Sequence, residues 1–152
     1  MNTMGARAVA VAETWIGTPY RHQAARRGVG CDCLGLIRGV WDALYGELPG
    51  ADIDYAPDWA ERSGQERLLD AAMLFCGEPL AQNEMAPGDI LLFRWRPQFA
   101  AKHAGILSGP DQFIHAYEQA GVTRSSLVPG WRRRIAGVFR FPDDKPVLLQ
   151  AG

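Results

Sequence analysis

The sequence predicts an α+β fold, with helices first and an antiparallel sheet after them. Before residue 77, three stretches carry apolar residues at helical spacing. From Pro87 onward the pattern turns to short apolar runs separated by turn residues. Helices followed by strands, rather than alternating with them, argue against a parallel α/β sheet. No linker, internal repeat or low-complexity tract interrupts the order, so residues 1–152 are read as one domain.

The first helical stretch is 5–16, where Ala8, Val11, Ala12, Trp15 and Ile16 share a face. Gly17-Thr18-Pro19 ends it. Residues 18–30 read as a loop holding Tyr20, His22, three arginines and two glycines. A second helix begins at Asp32 or Cys33, with Leu36, Ile37, Val40, Trp41, Leu44 and Tyr45 as its stripe and Gly46 as its stop. Gly35 and Gly39 lie on one face of it. Each costs about 1 kcal/mol relative to alanine, which predicts close approach by another segment. Residues 47–62, with two prolines and five carboxylates, read as an exposed connection.

Leu68, Leu69, Ala72, Met73, Phe75 and Cys76 predict a third helix, stopped by Gly77 and Pro79, with Met73 and Cys76 in the core. Pro87-Gly88-Asp89 is a turn leading into a buried strand, Ile90 to Trp95. His103 to Leu107 and Phe113 to Tyr117 form a hairpin through Ser108-Gly109-Pro110-Asp111. Val122 to Val128 and Ile135 to Phe141 complete the predicted sheet. The run Trp131-Arg132-Arg133-Arg134 reads as a solvated basic patch, with docking to a partner or anionic polymer as the alternative.

Composition narrows the function classes. A net charge of −1 gives no electrostatic case for binding nucleic acid or an anionic membrane. No run is long and apolar enough to span a bilayer. Ala8 to Ile16 does not read as a secretion signal, because Arg7 and Glu13 interrupt it and no small-residue cleavage site follows. The expected setting is synthesis in the cytoplasm without a signal peptide. Three cysteines, two of them separated by one residue, do not make a disulfide framework. Cys31, Cys33 and His22 are too few for a structural zinc, so neither metal nor cofactor is expected.

Cys33 is the candidate nucleophile. At a helix start its sulfur would lie beside unpaired N–H groups and the positive end of the dipole, a setting that lowers a thiol pKa. A thiol nucleophile needs a base, and the base an orienting group. There are three histidines to choose from. If the hairpin turn centres on Gly109, His103 and His115 face each other directly on one side of the sheet. A one-residue slip would place them on opposite faces. His22 is read as a solvated loop residue and Cys31 as structural.

These segments, in order, resemble the NlpC-type papain-like cysteine peptidases that cleave bacterial cell-wall peptides. Asp32-Cys33-Leu34-Gly35-Leu36-Ile37 is similar to the family's Asp-Cys-Ser-Gly-Leu-Val. Gly17-Thr18-Pro19-Tyr20 resembles its Gly-x-Pro-Tyr, and Pro87-Gly88-Asp89 its Pro-Gly-Asp turn. His103-Ala104-Gly105-Ile106 resembles the strand of its base, and Ile114-His115-Ala116 that of its third catalytic residue. The resemblance implies a papain-like fold, the nucleophile's helix packed on the sheet. Cys33 would be the nucleophile, His103 the base and His115 its orienting partner. Tyr20 and the Cys33 N–H would serve the oxyanion or substrate. Asp32 would cap the helix or bind a free peptide amine. The expected activity is cleavage of peptidoglycan stem peptides, in its most specific form between D-glutamate and a diamino acid. Short stand-alone domains with Gly-Cys-Asp-Cys-Leu-Gly-Leu resemble the wall peptidases of phage tails and gene transfer agents. This implies tail or baseplate proteins as partners and carriage on a virion to the target wall.

Two departures bear on substrate. Leu34 stands where the family has serine, and Arg21-His22-Gln23-Ala24 replaces its aromatic-Gly-Gly. The alternatives are a papain-like amidase cutting the sugar–peptide bond, a non-catalytic tail protein on the same fold, and a deamidase or acyltransferase. For the peptidase, a Cys33 thiolate beside a protonated His103 is expected, with a bell-shaped pH dependence.

Overall fold

A computed structural model describes residues 3–46 and 66–144. Helix α1, Met4–Thr14, is capped by Thr3, whose hydroxyl accepts the Ala6 N–H. Two short strands, β1 (Ala25–Arg26) and β2 (Gly30–Cys31), form a small hairpin inside the expected loop. Helix α2, Cys33–Tyr45, starts and stops where its sequence predicts, at Asp32 and Gly46. Helix α3 spans Arg67–Cys76 and ends at Gly77. The expected exposed connection at 47–62 lies outside the described residues.

Five antiparallel strands follow: β3 (Ile90–Phe93), β4 (His103–Gly109), β5 (Gln112–Tyr117), β6 (Gly121–Ser126) and β7 (Ile135–Phe139). Their order in the sheet is β6-β5-β4-β3-β7. A single helical turn, α4 (Pro129–Arg132), precedes β7. The predicted α+β class holds.

The sheet separates two apolar layers because alternate residues of a strand point to opposite faces. On one face Ile90, Leu92, Ala104, Ile106, Ile114 and Ala116 pack with Ala8, Ala12 and Trp15 from the first helical segment and Leu36, Val40 and Trp41 from α2. On the other, Leu91, Phe93, Leu107, Phe113 and Val138 pack under Leu127 and Trp131. The register Leu91↔Gly105↔His115 and Phe93↔His103 places both candidate histidines on this second face.

The two glycines of α2 are close-approach positions, as expected. A Cβ at Gly35 would fall 1.8 Å from the Ala24 carbonyl oxygen, and one at Gly39 2.0 Å from the Trp15 ring. They let the 20–31 loop and Trp15 lie directly on the helix that begins with Cys33. One expectation fails on α3. Met73 is 46% exposed and Leu74 59%, because the buried stripe is Leu68, Leu69, Ala72, Phe75 and Cys76. Met73 falls on the flank of that stripe, one turn from Leu69 but beyond the covered face, and Leu74 on the opposite side of the helix.

Candidate active site

Asp32 builds the start of α2. Its Oδ1 accepts the Gly35 N–H at 2.8 Å and its Oδ2 the Gln23 N–H at 2.7 Å. The cap therefore ties the helix to the preceding loop, and Asp32 is 2% exposed. Of the two roles expected for Asp32 the structure shows the cap, and the residue also lines the cleft described next. On the other side of the loop, Tyr20 bridges to Cys31, whose side chain is wholly buried and structural.

A cleft of about 840 Å³ opens over this helix start, with Tyr20, His22, Cys33, Leu34, Trp95, His103 and Tyr117 among its lining residues. The Cys33 Sγ lies 3.8 Å from the carbonyl oxygen of Lys102, the residue immediately before His103. The candidate nucleophile and candidate base thus reach one cleft from opposite layers of the protein, where β4 begins.

His103 Nε2 is 2.9 Å from His115 Nδ1. The contact is the expected one, but its geometry differs. His115 pairs with Gly105, not with His103, because the hairpin turns at Pro110-Asp111 and a bulge between Leu107 and Gly109 takes up one residue of the offset. That shift slides the pairing by two residues, which preserves the face and makes the histidines diagonal neighbours. Gly105, directly opposite His115, clears the path between them: a Cβ there would stand 3.1 Å from the His115 Cβ. With Nε2 of His103 facing His115, Nδ1 is the nitrogen left to serve Cys33.

Aromatic rings enclose the pair. Trp95 stacks on His103 with ring centroids 5.4 Å apart, and Trp131 lies 5.8 Å from His103 and 5.3 Å from His115. The basic run after Trp131 is solvated as expected at Arg133 and Arg134, and two of its guanidinium groups are also hydrogen-bonded at the surface. Arg132 pairs with Asp111 at 2.6 Å, and Arg134 donates to the Trp95 and Gly130 carbonyls. These bonds hold Trp131 and Trp95 in place. His22 is exposed as expected, yet it faces the cleft, with its Nδ1 3.7 Å from Asp32 Oδ2.

Burial governs protonation here. It pushes the Cys33 thiol up to about 12, with the Asp32 charge adding to it, against the backbone N–H groups of Ala104, Leu34 and Cys33. The expected lowering by the helix start is real but outweighed. Burial also pulls His103 down to about 3, assisted by the proximity of His115, and His115 down to about 4. The resting pair is a neutral thiol beside a neutral imidazole. Tyr20 is raised to about 12, first by burial and then by the neighbouring Cys33 and Asp32, which keeps its hydroxyl a donor.

A stability prediction follows from the histidines. Both titrate lower in the folded chain than the ordinary 6.5, so below that pH the unfolded chain binds protons that the folded one refuses. Their contribution is fully present above pH 6.5 and is lost as pH falls toward about 4, by up to about 1.4 kcal/mol per pH unit for each. Urea midpoints measured from pH 7.5 to 5 should fall with acid, and less steeply in His115→Gln. A flat midpoint would mean that these rings charge without cost.

The family model for NlpC/P60 matches residues 17–140. The chain belongs to the NlpC/P60 family. It is 30% identical over 146 residues to the gamma-DL-glutamyl hydrolase of Bacillus subtilis (strain 168), covering 92% of this chain and 31% of the relative. To the probable endopeptidase NlpC of Escherichia coli (strain K12) it is 32% identical, covering 76% and 63%. The solved NlpC/p60 domain of the peptidoglycan hydrolase SagA superposes with a TM-score of 0.59 at 25% identity, covering 90% of this chain and 98% of that domain. The chain therefore spans about a third to under two thirds of these two curated relatives.

Within the NlpC/P60 match, sequence reading missed Trp95, Trp131 and Ser125. Ser125 Oγ is 2.8 Å from His115 Nε2. Its only signal in the sequence was a position two residues beyond the partner of His115 on the next strand. That signal requires the register to be known.

Proposed function

We propose that this chain is a cysteine peptidase that hydrolyses peptidoglycan stem peptides. The observation that carries the reading is the 2.9 Å contact between His103 and His115, made at the cleft that also holds Cys33. In this reading His103 Nδ1 takes the Cys33 proton as the sulfur attacks the scissile carbonyl. The oxyanion receives the Cys33 N–H and the Tyr20 hydroxyl. His103 returns the proton to the leaving amine, and water hydrolyses the thioester. Because the starting pair is neutral, charge separates only as attack proceeds, and the His115 Nδ1 lone pair steadies the imidazolium through its Nε2–H.

The bond we assign is the one between D-glutamate and a diamino acid. The name of the Bacillus relative, a glutamyl hydrolase, supports it. Leu34 gives the cleft an apolar wall where a hydroxyl would hold an amino end, so we propose that a free amino end contributes little to binding. The similarity of Gly30 to Leu36 to phage-tail and gene-transfer-agent peptidases supports delivery on a virion, with tail or baseplate proteins as partners. Mass spectrometry of digested muropeptides tests the chemistry. Products that begin with the diamino acid are expected; release of intact stem peptides would replace the peptidase with an amidase, and undigested wall would leave a binding protein.

A further inference from the structure

His115 has two ring nitrogens, and both are engaged across the sheet. Nδ1 lies 2.9 Å from His103 Nε2, and Nε2 lies 2.8 Å from Ser125 Oγ. The three residues come from β4, β5 and β6 and step diagonally over one face, since Gly105 pairs with His115 and Phe113 with Ser125. A neutral imidazole carries one proton, so such a chain can run in only two directions.

In the first direction Ser125 accepts. His115 then holds its proton on Nε2 and offers the Nδ1 lone pair to His103. His103 must carry its own proton on Nε2, which leaves Nδ1 open as a base. In the second direction Ser125 donates to His115 Nε2. His115 is then protonated on Nδ1, His103 Nε2 accepts, and the proton of His103 sits on the nitrogen that should take the thiol proton. The second arrangement is inert. Ser125 is only partly buried, so its own hydroxyl hydrogen can turn to water while its oxygen accepts. The titratable side chains against His115 include His103 and Tyr117, whose ring centroid is 5.5 Å away.

We propose that Ser125 is a positioning residue that fixes the direction of the histidine relay, by accepting the His115 Nε2 proton and thereby holding His103 in the tautomer with a free Nδ1. The inference rests on the peptidase reading for its effect on turnover, but not for its effect on the tautomer.

Threonine and valine at position 125 provide the test, because both suit a strand and differ only in the hydroxyl. Turnover of a stem peptide and the imidazole ¹⁵N shifts of the full chain are measured side by side. Ser125→Thr should keep kcat within about two-fold, whereas Ser125→Val should lower it about ten-fold, one neutral hydrogen bond's worth, with KM unchanged. In wild type and Ser125→Thr, His115 should show a protonated Nε2 and a bare Nδ1. In Ser125→Val the two shifts should move toward each other. Unchanged His115 shifts in the valine variant, or equal kcat in the two variants, would overturn the proposal. If wild type cleaves no stem peptide, the peptidase reading fails, and the shifts still decide the role of Ser125.

Discussion

Cys33→Ala should abolish hydrolysis, lowering turnover by about four to six orders of magnitude, while unfolding at nearly the wild-type denaturant concentration. The thiol is the group in the cleft placed both at a helix start and beside the strand that bears His103. Removing it leaves an imidazole with no nucleophile to activate. The stability arm separates this from damage to the fold. The thiol's hydrogen bond to the Lys102 carbonyl is long, 3.8 Å, and the sulfur carries no charge at rest, so replacing it by a methyl should cost under about 1 kcal/mol. Cys33→Ser should be nearly as inactive, because an alcohol is harder still to deprotonate in a site that already holds a thiol up at about 12. Residual turnover within ten-fold of wild type would remove Cys33 from the chemistry. The same protonation picture broadens the expected pH dependence. With burial lowering His103 and raising the thiol, the singly protonated pair persists over a wider range than the free groups would give, and the limits belong to the pair.

Asp32→Ala should cost about 2–5 kcal/mol of folding stability, since it strands two backbone donors that a buried carboxylate now satisfies. Those donors are the N–H groups of Gly35 and Gln23, at 2.8 and 2.7 Å. One belongs to the first turn of α2. The other fixes a loop residue with a φ of 61°, in the left-handed region that a side chain other than glycine seldom adopts. Losing the second bond frees Gln23 from that conformation, and Tyr20 and His22 lie on the same loop. Activity should therefore fall along with stability. Asp32→Asn keeps one acceptor oxygen and turns an NH₂ toward the other donor, so it should recover less than half of the loss. Urea unfolding of the three proteins checks both statements. A shift under about 1 kcal/mol for alanine would mean that the loop and helix hold their places without the carboxylate.

What was legible in the sequence was mostly local or repetitive. The cap at Asp32 and the stop at Gly46 depend on residues within one turn of the helix end. The strands at 90, 103, 113, 122 and 135 announced themselves by short apolar runs between turn residues. Gly35 and Gly39 signalled close packing because a helix carries such residues at a cost. Met73 was misplaced because a stripe of six apolar residues on a short helix is wider than the face its neighbours cover.

The sequence by itself determined the order of helices and strands, the place of Cys33 at a helix start, and the presence of two histidines on strands that could pair. Tertiary structure alone decided how those histidines meet, diagonally across Gly105 rather than face to face. It also brought Ser125, Trp95 and Trp131 to them from three separate segments. Most of all it set the protonation of the site. A helix start lowers a thiol pKa through a few nearby N–H groups, an effect readable from the local chain. The desolvation that opposes it is summed over every segment packed around the sulfur, and only the folded molecule assembles that surround.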